Sequence, residues 1–266
     1  MTHQPLATLS AAAIDAAARH LVAARSTGRG GERLPPEIRP SSASDAIAIQ
    51  RRVAALLRAP IGGWKCSLPS AEKTNIAPIY ADLIRGQSPC AVYPVAAAAA
   101  IEPEVACVMG RDLPARATPY TEDEVRAAVG EVRLVLELIG CRYADPAALP
   151  FVEMLADNGN NQGLYLGPVI AGPWERALDA IALEVRGPAG ISIDCAGRHP
   201  DGHPLRPLVW LASELGSARW SGQGLLAGQI VTTGSYAGVL SVPLAAPLSV
   251  RFGDLGVIAV ELQARP

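Results

Sequence analysis

Beyond Pro94 the chain becomes a succession of short runs that alternate apolar and polar residues, separated by Gly, Pro, Asn and Asp. In an extended chain residues two apart share a face, so this alternation marks half-buried strands. "IEPEVACVMG", "RLVLELIG", "LYLGPVIAG", "ALEVRG", "GISIDCAG", "GQIVTTGSYAGVLSV", "PLSVRFG" and "VIAVELQ" all read this way. Pro103 has no backbone donor and predicts an edge position or a bulge in the first of them. Two helices interrupt the series. "TEDEVRAAVGEV" opens with a capping box from Thr121 to Glu124, and "HPLRPLVWLASELG" begins at Pro204 or Pro207. Strands dominate and do not alternate regularly with helices, which predicts an α+β fold or a β-roll rather than a doubly wound sheet.

The N-terminal part is different. Ser10 can cap a helix that carries Ile14, Ala18, Leu21 and Val22 near one face and ends at Gly28. A Gly/Pro/Ser-rich link leads to a second helix, capped by Ser44 and holding Ile47, Ile49, Val53, Leu56 and Leu57. Pro60, Gly62 and Gly63 break that pattern. The expected organisation is a helical N-terminal segment over residues 1–60 and a β-rich domain over 61–266.

Glu102 and Glu104 would share one face of an otherwise apolar strand. Burying both without a partner carries a heavy desolvation cost. By itself the pair fits a half-solvated strand with both acids facing water. A third acid, Glu137, stands alone among aliphatic residues in "RLVLELIG", and a lone acid in a core strand needs a partner. Three hard oxygen donors on two apolar strands suit Mg²⁺ or Mn²⁺ with coordination positions left open. Only two of the 23 basic residues are lysines, Lys65 and Lys73, which hints that an ammonium is needed there, with chance an equal alternative.

Other classes find little support. A net charge of −2 gives no general attraction to nucleic acid or anionic membranes. No apolar run is long enough for a transmembrane helix, and Asp15, Arg19 and His20 interrupt the place of a signal core. Five cysteines without a CxxC pair, with Cys107 and Cys141 in or beside apolar runs, predict buried thiols and a cytoplasmic protein. There is no GxSxG, HExxH or Walker loop, nor a GxGxxG followed by an acid. His199 and His203 lie in "RHPDGHP", which reads as a surface loop.

In order, "GWK", "IEPEVACVMGRDLP", "YTEDEV", "LVLELIGCRY", "ADNGNNQG", "GHPLRPLVWLASEL", "VTTGSYAGVLSV" and "FGDLGVIAVEL" resemble the 2-keto-4-pentenoate hydratase / 2-oxohepta-3-ene-1,7-dioate hydratase / 4-oxalocrotonate decarboxylase family, part of the fumarylacetoacetate hydrolase superfamily. The resemblance runs from about Ala43 onward. It implies a mixed β-roll with flanking helices and a Mg²⁺ or Mn²⁺ ion on Glu102, Glu104 and Glu137. It also implies an active-site lysine at Lys65, and a substrate pocket lined by Asp157 and Asn158 in one turn and by Thr233, Gly234 and Ser235 in another. For Asp157, Asn158 and the Thr233–Ser235 turn, a purely structural turn is an equal alternative.

The chain departs from the family at Lys65-Cys66-Ser67-Leu68-Pro69-Ser70 and in "NIAPIYADLI", where Ala77, Pro78 and Ile79 stand in the places of an acid-bearing group. Asp82 can replace that acid only if the loop shifts. The turn after "ADN" is Gly159-Asn160-Asn161-Gln162, and Val95 to Ala100 carry no histidine before the first glutamate, which argues against carbon–carbon hydrolysis. The resemblance implies a metal-dependent hydratase acting on a 2-hydroxy-2,4-dienoate in aromatic catabolism. A 2-oxo-acid decarboxylase or tautomerase, or a non-catalytic partner subunit of such an enzyme, are the alternatives. A homo-oligomer, or a complex with a related decarboxylase or hydratase subunit, is implied in the same way.

Overall fold

The computed structural model describes residues 8–265 apart from 29, 71–72, 189 and 221. Helix α1 (Ala11–Thr27) is capped by the Ser10 hydroxyl, which accepts from the Ala13 amide, and ends at Gly28 with φ 64°. Helix α2 (Ala43–Leu57) is capped by Ser42, not by Ser44; Ser42 is the residue whose oxygen reaches the Asp45 amide three positions on. Ala17, Ala18 and Leu21 of α1 share an apolar cluster with Ala46, Ile49 and Val53 of α2. Tyr80, Tyr143 and Leu155 from the β-rich part complete this cluster, so the helices bury their apolar faces on the rest of the chain.

An eight-stranded mixed sheet carries the site. Its order is β2 (Ile76–Tyr80), β1 (Ile61–Cys66), β10 (Ile230–Thr232), β5 (Ala99–Met109), β6 (Val129–Ile139), β7 (Asn161–Val169) and β3 (Ile84–Arg85), with β11 (Leu240–Val242) also paired to β5. A second sheet of five strands runs β4 (Cys90–Val92), β13 (Gly256–Ala264), β12 (Pro247–Phe252), β8 (Ala180–Arg186) and β9 (Ser192–Arg198). Strands β1 and β2 lie where the sequence shows only broken patterns. Pro78 is accommodated there because β2 is the sheet edge, paired on one side only. Gly63 permits the parallel pairing of β1 with β10, since a Cβ at this position would stand 2.3 Å from the Ile230 carbonyl oxygen.

Pro103 is not in a bulge; it lies at a local edge, in a gap between two strands on the side of β5 away from β6. It faces Leu136 of β6, and its carbonyl accepts from the Tyr236 amide on the opposite side. On that side β10 has ended at Ala106 and β11 has not begun until Ile101, so no ladder donor is missed. The expected strand "GQIVTTGSYAGVLSV" is accordingly two strands, β10 and β11, separated by a turn with Gly234 at φ 129°. The helix opened by the Thr121–Glu124 capping box, α3 (Glu122–Ala128), stops before "VGEV", which begins β6. Gly130 there packs against Gly110, where a Cβ would come within 2.9 Å of backbone. Two further helices complete the fold: α4 (Phe151–Ala156), which periodicity does not reveal, and α5 (Leu205–Glu214), preceded by Pro204. Among the described residues no helix is long and apolar enough to cross a membrane. The architecture is α+β, as the strand-rich pattern predicts.

Candidate metal centre

Strands β5 and β6 pair antiparallel with Glu102 directly opposite Glu137. Like charges placed opposite one another destabilise a sheet, so the pairing is unfavourable unless something lies between them. Glu104, two residues from Glu102, points to the same face. One carboxylate oxygen from each of the three glutamates lies within 4.8 Å of the others. Glu104 and Glu137 are buried at 2% and 1% exposure, and Glu102 is partly buried.

Neighbouring strands supply the surroundings. Lys65 reaches in from β1, and its Nζ donates to Glu137 Oε1 at 2.6 Å and to the Gly159 carbonyl at 3.1 Å. Asn161 Nδ2, from the start of β7, donates to the same Glu137 oxygen at 3.0 Å. Glu104 Oε2 accepts from the Thr232 hydroxyl and, at 2.9 Å, from the Gly234 amide. Glu137 Oε2 is buried and has no hydrogen-bond partner. The groups open on a cavity of about 240 Å³ that Asn75, Ser67 and Ser235 also line.

Three carboxylates face one ammonium, which leaves two negative charges uncompensated. Burial first, and Glu137 second, push Glu102 up to about 7. Burial, then Glu137 and Glu102, push Glu104 up to about 8 against the opposing pull of Thr232 and Gly234. Burial alone would lower the pKa of Lys65, but Glu137 and Glu102 outweigh it and raise it, so the side chain stays an ammonium. A divalent cation matches the missing charge, and the unpartnered Glu137 Oε2 is an oxygen donor without a proton to accept. The donor set therefore fits a hard divalent ion.

Of the residues singled out in the sequence, the structure brings together Glu102, Glu104, Glu137, Lys65, Gly234 and Ser235. Asp157 is elsewhere: it is fully buried, and its two oxygens accept from Arg142 Nε, the Arg142 amide and Arg25 Nη2. An aspartate so occupied is a structural ion-pair centre. Asp82 is exposed on a short 3-10 turn and faces a different cavity. Asn158 is buried with φ 54°, and its Nδ2 donates to the Pro78 carbonyl. Its neighbour Gly159 is the residue that touches Lys65. Thr233 turns away from the cavity toward His199, with Oγ1 3.1 Å from Nε2.

His199 corrects the surface-loop expectation, being buried at 4% exposure. The Asp201 amide donates to its Nδ1, so Nε2 carries the proton and donates to Thr233. Asp201 Oδ2 in turn accepts from the Leu68 amide, which ties this loop to the segment just after Lys65. Thr232, Asn75, Asn161 and His199 are the residues that sequence reasoning missed. Thr232 and Thr233 are adjacent and chemically identical, and only the strand register tells which one faces Glu104. The other three depend on long-range packing that leaves no local signal.

No family model matches the chain. Among curated proteins, 2-keto-4-pentenoate hydratase 1 of Dechloromonas aromatica (strain RCB) is 30% identical over 159 residues, 60% of this chain and 58% of that protein. 2-Keto-4-pentenoate hydratase 2 of the same organism is 28% identical over a match of the same extent. The match thus spans less than two thirds of these relatives. Among solved structures, 4-oxalocrotonate decarboxylase from Pseudomonas putida G7, complexed with magnesium and adipate, superposes with a TM-score of 0.77 at 22% identity, covering 96% of this chain and 99% of that one. A fumarylacetoacetate hydrolase family protein from yeast gives 0.53 at 15% identity over 76% of this chain and 92% of its own. The chain is similar in sequence to the hydratases and has the mixed β-roll fold of the fumarylacetoacetate hydrolase type.

Proposed function

We propose that this chain is a divalent-metal-dependent hydro-lyase that adds water to a 2-hydroxy-2,4-dienoate, with Glu102, Glu104 and Glu137 as the ligands of Mg²⁺ or Mn²⁺. The observation that carries this reading is the convergence of three buried or partly buried carboxylates on one lysine, with Glu137 Oε2 left unpartnered. The sequence similarity to 2-keto-4-pentenoate hydratases supports the choice of reaction. When bound, the cation supplies Lewis-acid stabilisation of an enolate on a 2-oxo acid.

The chain's own groups hold the rest. Thr232 and the Gly234 amide fix Glu104 in one orientation, and Asn161 with Lys65 fixes Glu137. Lys65 uses two of its three donors on Glu137 and Gly159, and the third serves the substrate carboxylate. Asn75, Ser67 and Ser235 offer polar groups along the cavity wall. The reaction needs a proton moved from the dienol hydroxyl to carbon 5, giving the conjugated 2-oxo-3-enoate. Water oxygen then adds to carbon 4 and a proton to carbon 3. Lys65, held as an ammonium, serves as a proton donor and charge partner rather than as the base.

A second reading is favoured by the fold likeness to 4-oxalocrotonate decarboxylase over nearly the whole of both chains. Loss of the carbon-6 carboxylate as CO₂ from a 2-oxo-3-enedioate, a vinylogous 3-oxo acid, leaves its electron pair on a dienolate, which draws on the same stabilisation and needs only protonation afterwards. Among the described residues lining the cavity, the titratable groups are Lys65, Cys66 and the three glutamates, a set that suffices for decarboxylation. Asp82 and Asp157 take no part in either reading. We place the protein in the cytoplasm, in keeping with five free thiols, and as a homo-oligomer by analogy with the family.

The test starts from metal-stripped protein mixed with 2-hydroxypenta-2,4-dienoate while its absorbance is followed. Loss of the dienol band on adding Mg²⁺ or Mn²⁺, absent in Glu104→Ala protein, is the expected result. Product analysis separates 4-hydroxy-2-oxopentanoate from CO₂ released by a 4-oxalocrotonate-type substrate. Failure of the wild-type protein to bind either ion would sink the reading.

A further inference from the structure

A second cavity lies between α1 and the end of β6, away from the glutamates, and it holds the opposite charge imbalance. Its volume is about 220 Å³, and Arg25, Arg142 and Arg265 line it together with apolar Ala24, Leu57 and Leu83. Asp82 at its rim is exposed, and the one buried carboxylate behind it, Asp157, is shared by two arginines. Arg142 takes most of that carboxylate: its Nε and its backbone amide donate to the two oxygens, and its Nη2 takes the Asp157 carbonyl. Arg25 reaches it with a single long contact of 3.3 Å, and its Nε is buried without any partner. Arg25 is 12% exposed at the side chain, so a guanidinium is held out of water with half a counter-ion. Burial first, and Arg142 next, pull it down to about 10 from its ordinary range.

Buried charges in proteins are paired or neutralised, and guanidinium is matched by planar carboxylates. Arg265 lines the same cavity, with its guanidinium 5.0 Å from the Tyr93 ring and bonded to the Tyr93 hydroxyl at 3.2 Å. The apolar side chains of Ala24, Leu57 and Leu83 in the same lining suit a short hydrocarbon body. We propose that this cavity binds a small organic carboxylate, its carboxylate seated on Arg25 and its apolar body against Leu57 and Leu83. A volume of about 220 Å³ admits a ligand of the size of benzoate or a short dicarboxylate. The site is independent of the glutamate centre and does not rest on the catalytic reading.

The test uses the full chain stripped of metal, with benzoate as the probe and benzamide and inorganic phosphate as controls. Benzoate at ten times its dissociation constant is expected to raise Tm by roughly 4 °C. Benzamide, which lacks the charge, is expected to raise it far less. Calorimetric affinity for benzoate falls at least about tenfold in Arg25→Met protein, since a charge-assisted pair is lost. Arg265→Gln, which leaves the Asp157 ion pair untouched, weakens binding to a smaller degree and covers the case in which Arg25→Met does not fold. Lys65→Met protein keeps the full shift, because the glutamate cavity is not involved. No response to benzoate, a response to phosphate alone, equal affinity in wild-type and both arginine variants, or loss of the response in Lys65→Met protein would each overturn the proposal.

Discussion

Glu137 and Asp157 are both buried carboxylates paired with a cation, yet they do different things. Asp157 accepts from Arg142 Nε, the Arg142 amide and Arg25, so both of its oxygens are occupied within the protein. Glu137 accepts from Lys65 and Asn161 through Oε1 alone and leaves Oε2 buried and bare. Around Asp157 the carboxylate is saturated and the surplus is positive. Around Glu137 the surplus is negative, because Glu102 and Glu104 crowd the same lysine. Residue type and burial are nearly the same, so the balance of charge and hydrogen bonds is what separates a structural carboxylate from one that waits for a ligand.

The sharpest way to break this contrast is to remove a carboxylate on the unbalanced side. Glu137→Ala is expected to abolish tight Mg²⁺ or Mn²⁺ binding and to lower turnover by about three orders of magnitude, about 4 kcal/mol of barrier. Its fold should survive without metal, since a repelling charge opposite Glu102 has gone. Calorimetric titration of metal into the variant and the wild type checks the first part, and thermal melts in chelator check the second. A variant that binds the ion as tightly as wild type would remove Glu137 from the ligand set.

On the balanced side the expected loss is in stability instead. Asp157→Asn leaves Arg142 and Arg25 without their anion in the interior and should cost about 3 kcal/mol, within the range for breaking a buried pair from one side. Denaturant titration measures this. Metal affinity of the folded fraction should be unchanged. If it fell as far as in the glutamate variant, the distinction between the two carboxylates would fail.

Thr232→Val probes the support of the metal centre rather than its ligands. The hydroxyl is one of two donors to Glu104 Oε2, and valine keeps its shape. Loss of such an orienting bond typically lowers metal affinity 10- to 100-fold, and we expect the same order here. Thr233→Val, one residue away, touches His199 instead and should change metal affinity by less than about threefold, the ordinary scatter of a neutral substitution. Parallel metal titrations of the two variants decide whether the strand register is as described.

The glutamates were legible in the sequence because period-2 spacing and an apolar setting act locally: Glu102 and Glu104 share a face in any strand, and Glu137 has no other polar neighbour in its run. The α+β class followed from the same alternation. The roles of Asp157 and Thr233 were not legible, since the first depends on Arg142 and Arg25 arriving from other elements and the second on which of two adjacent threonines the β10 register turns inward. Strand β1 was hidden because Gly62 and Gly63 look like a breaker, whereas close parallel pairing with β10 demands Gly63. The early stop of α3 has the same origin, in the contact of Gly130 with Gly110.

The smallest expected effect concerns His199, which sits between the two kinds of environment: buried, neutral and bonded, with no counter-ion. Burial first, and His203 second, bring its pKa down to about 4 from the usual 6.5. The folded state therefore binds this proton less readily than the unfolded chain does. The associated stability is fully present above pH 6.5 and is lost as the pH falls from there toward 4. His199→Gln keeps a donor for Thr233 and removes the titration. Its stability should therefore change less than that of wild type between pH 6.5 and 4, when the two are followed by denaturant melts at each pH. Identical slopes would mean that the imidazole reaches water, and that the Nε2 donor to Thr233 holds the loop less firmly than its geometry indicates.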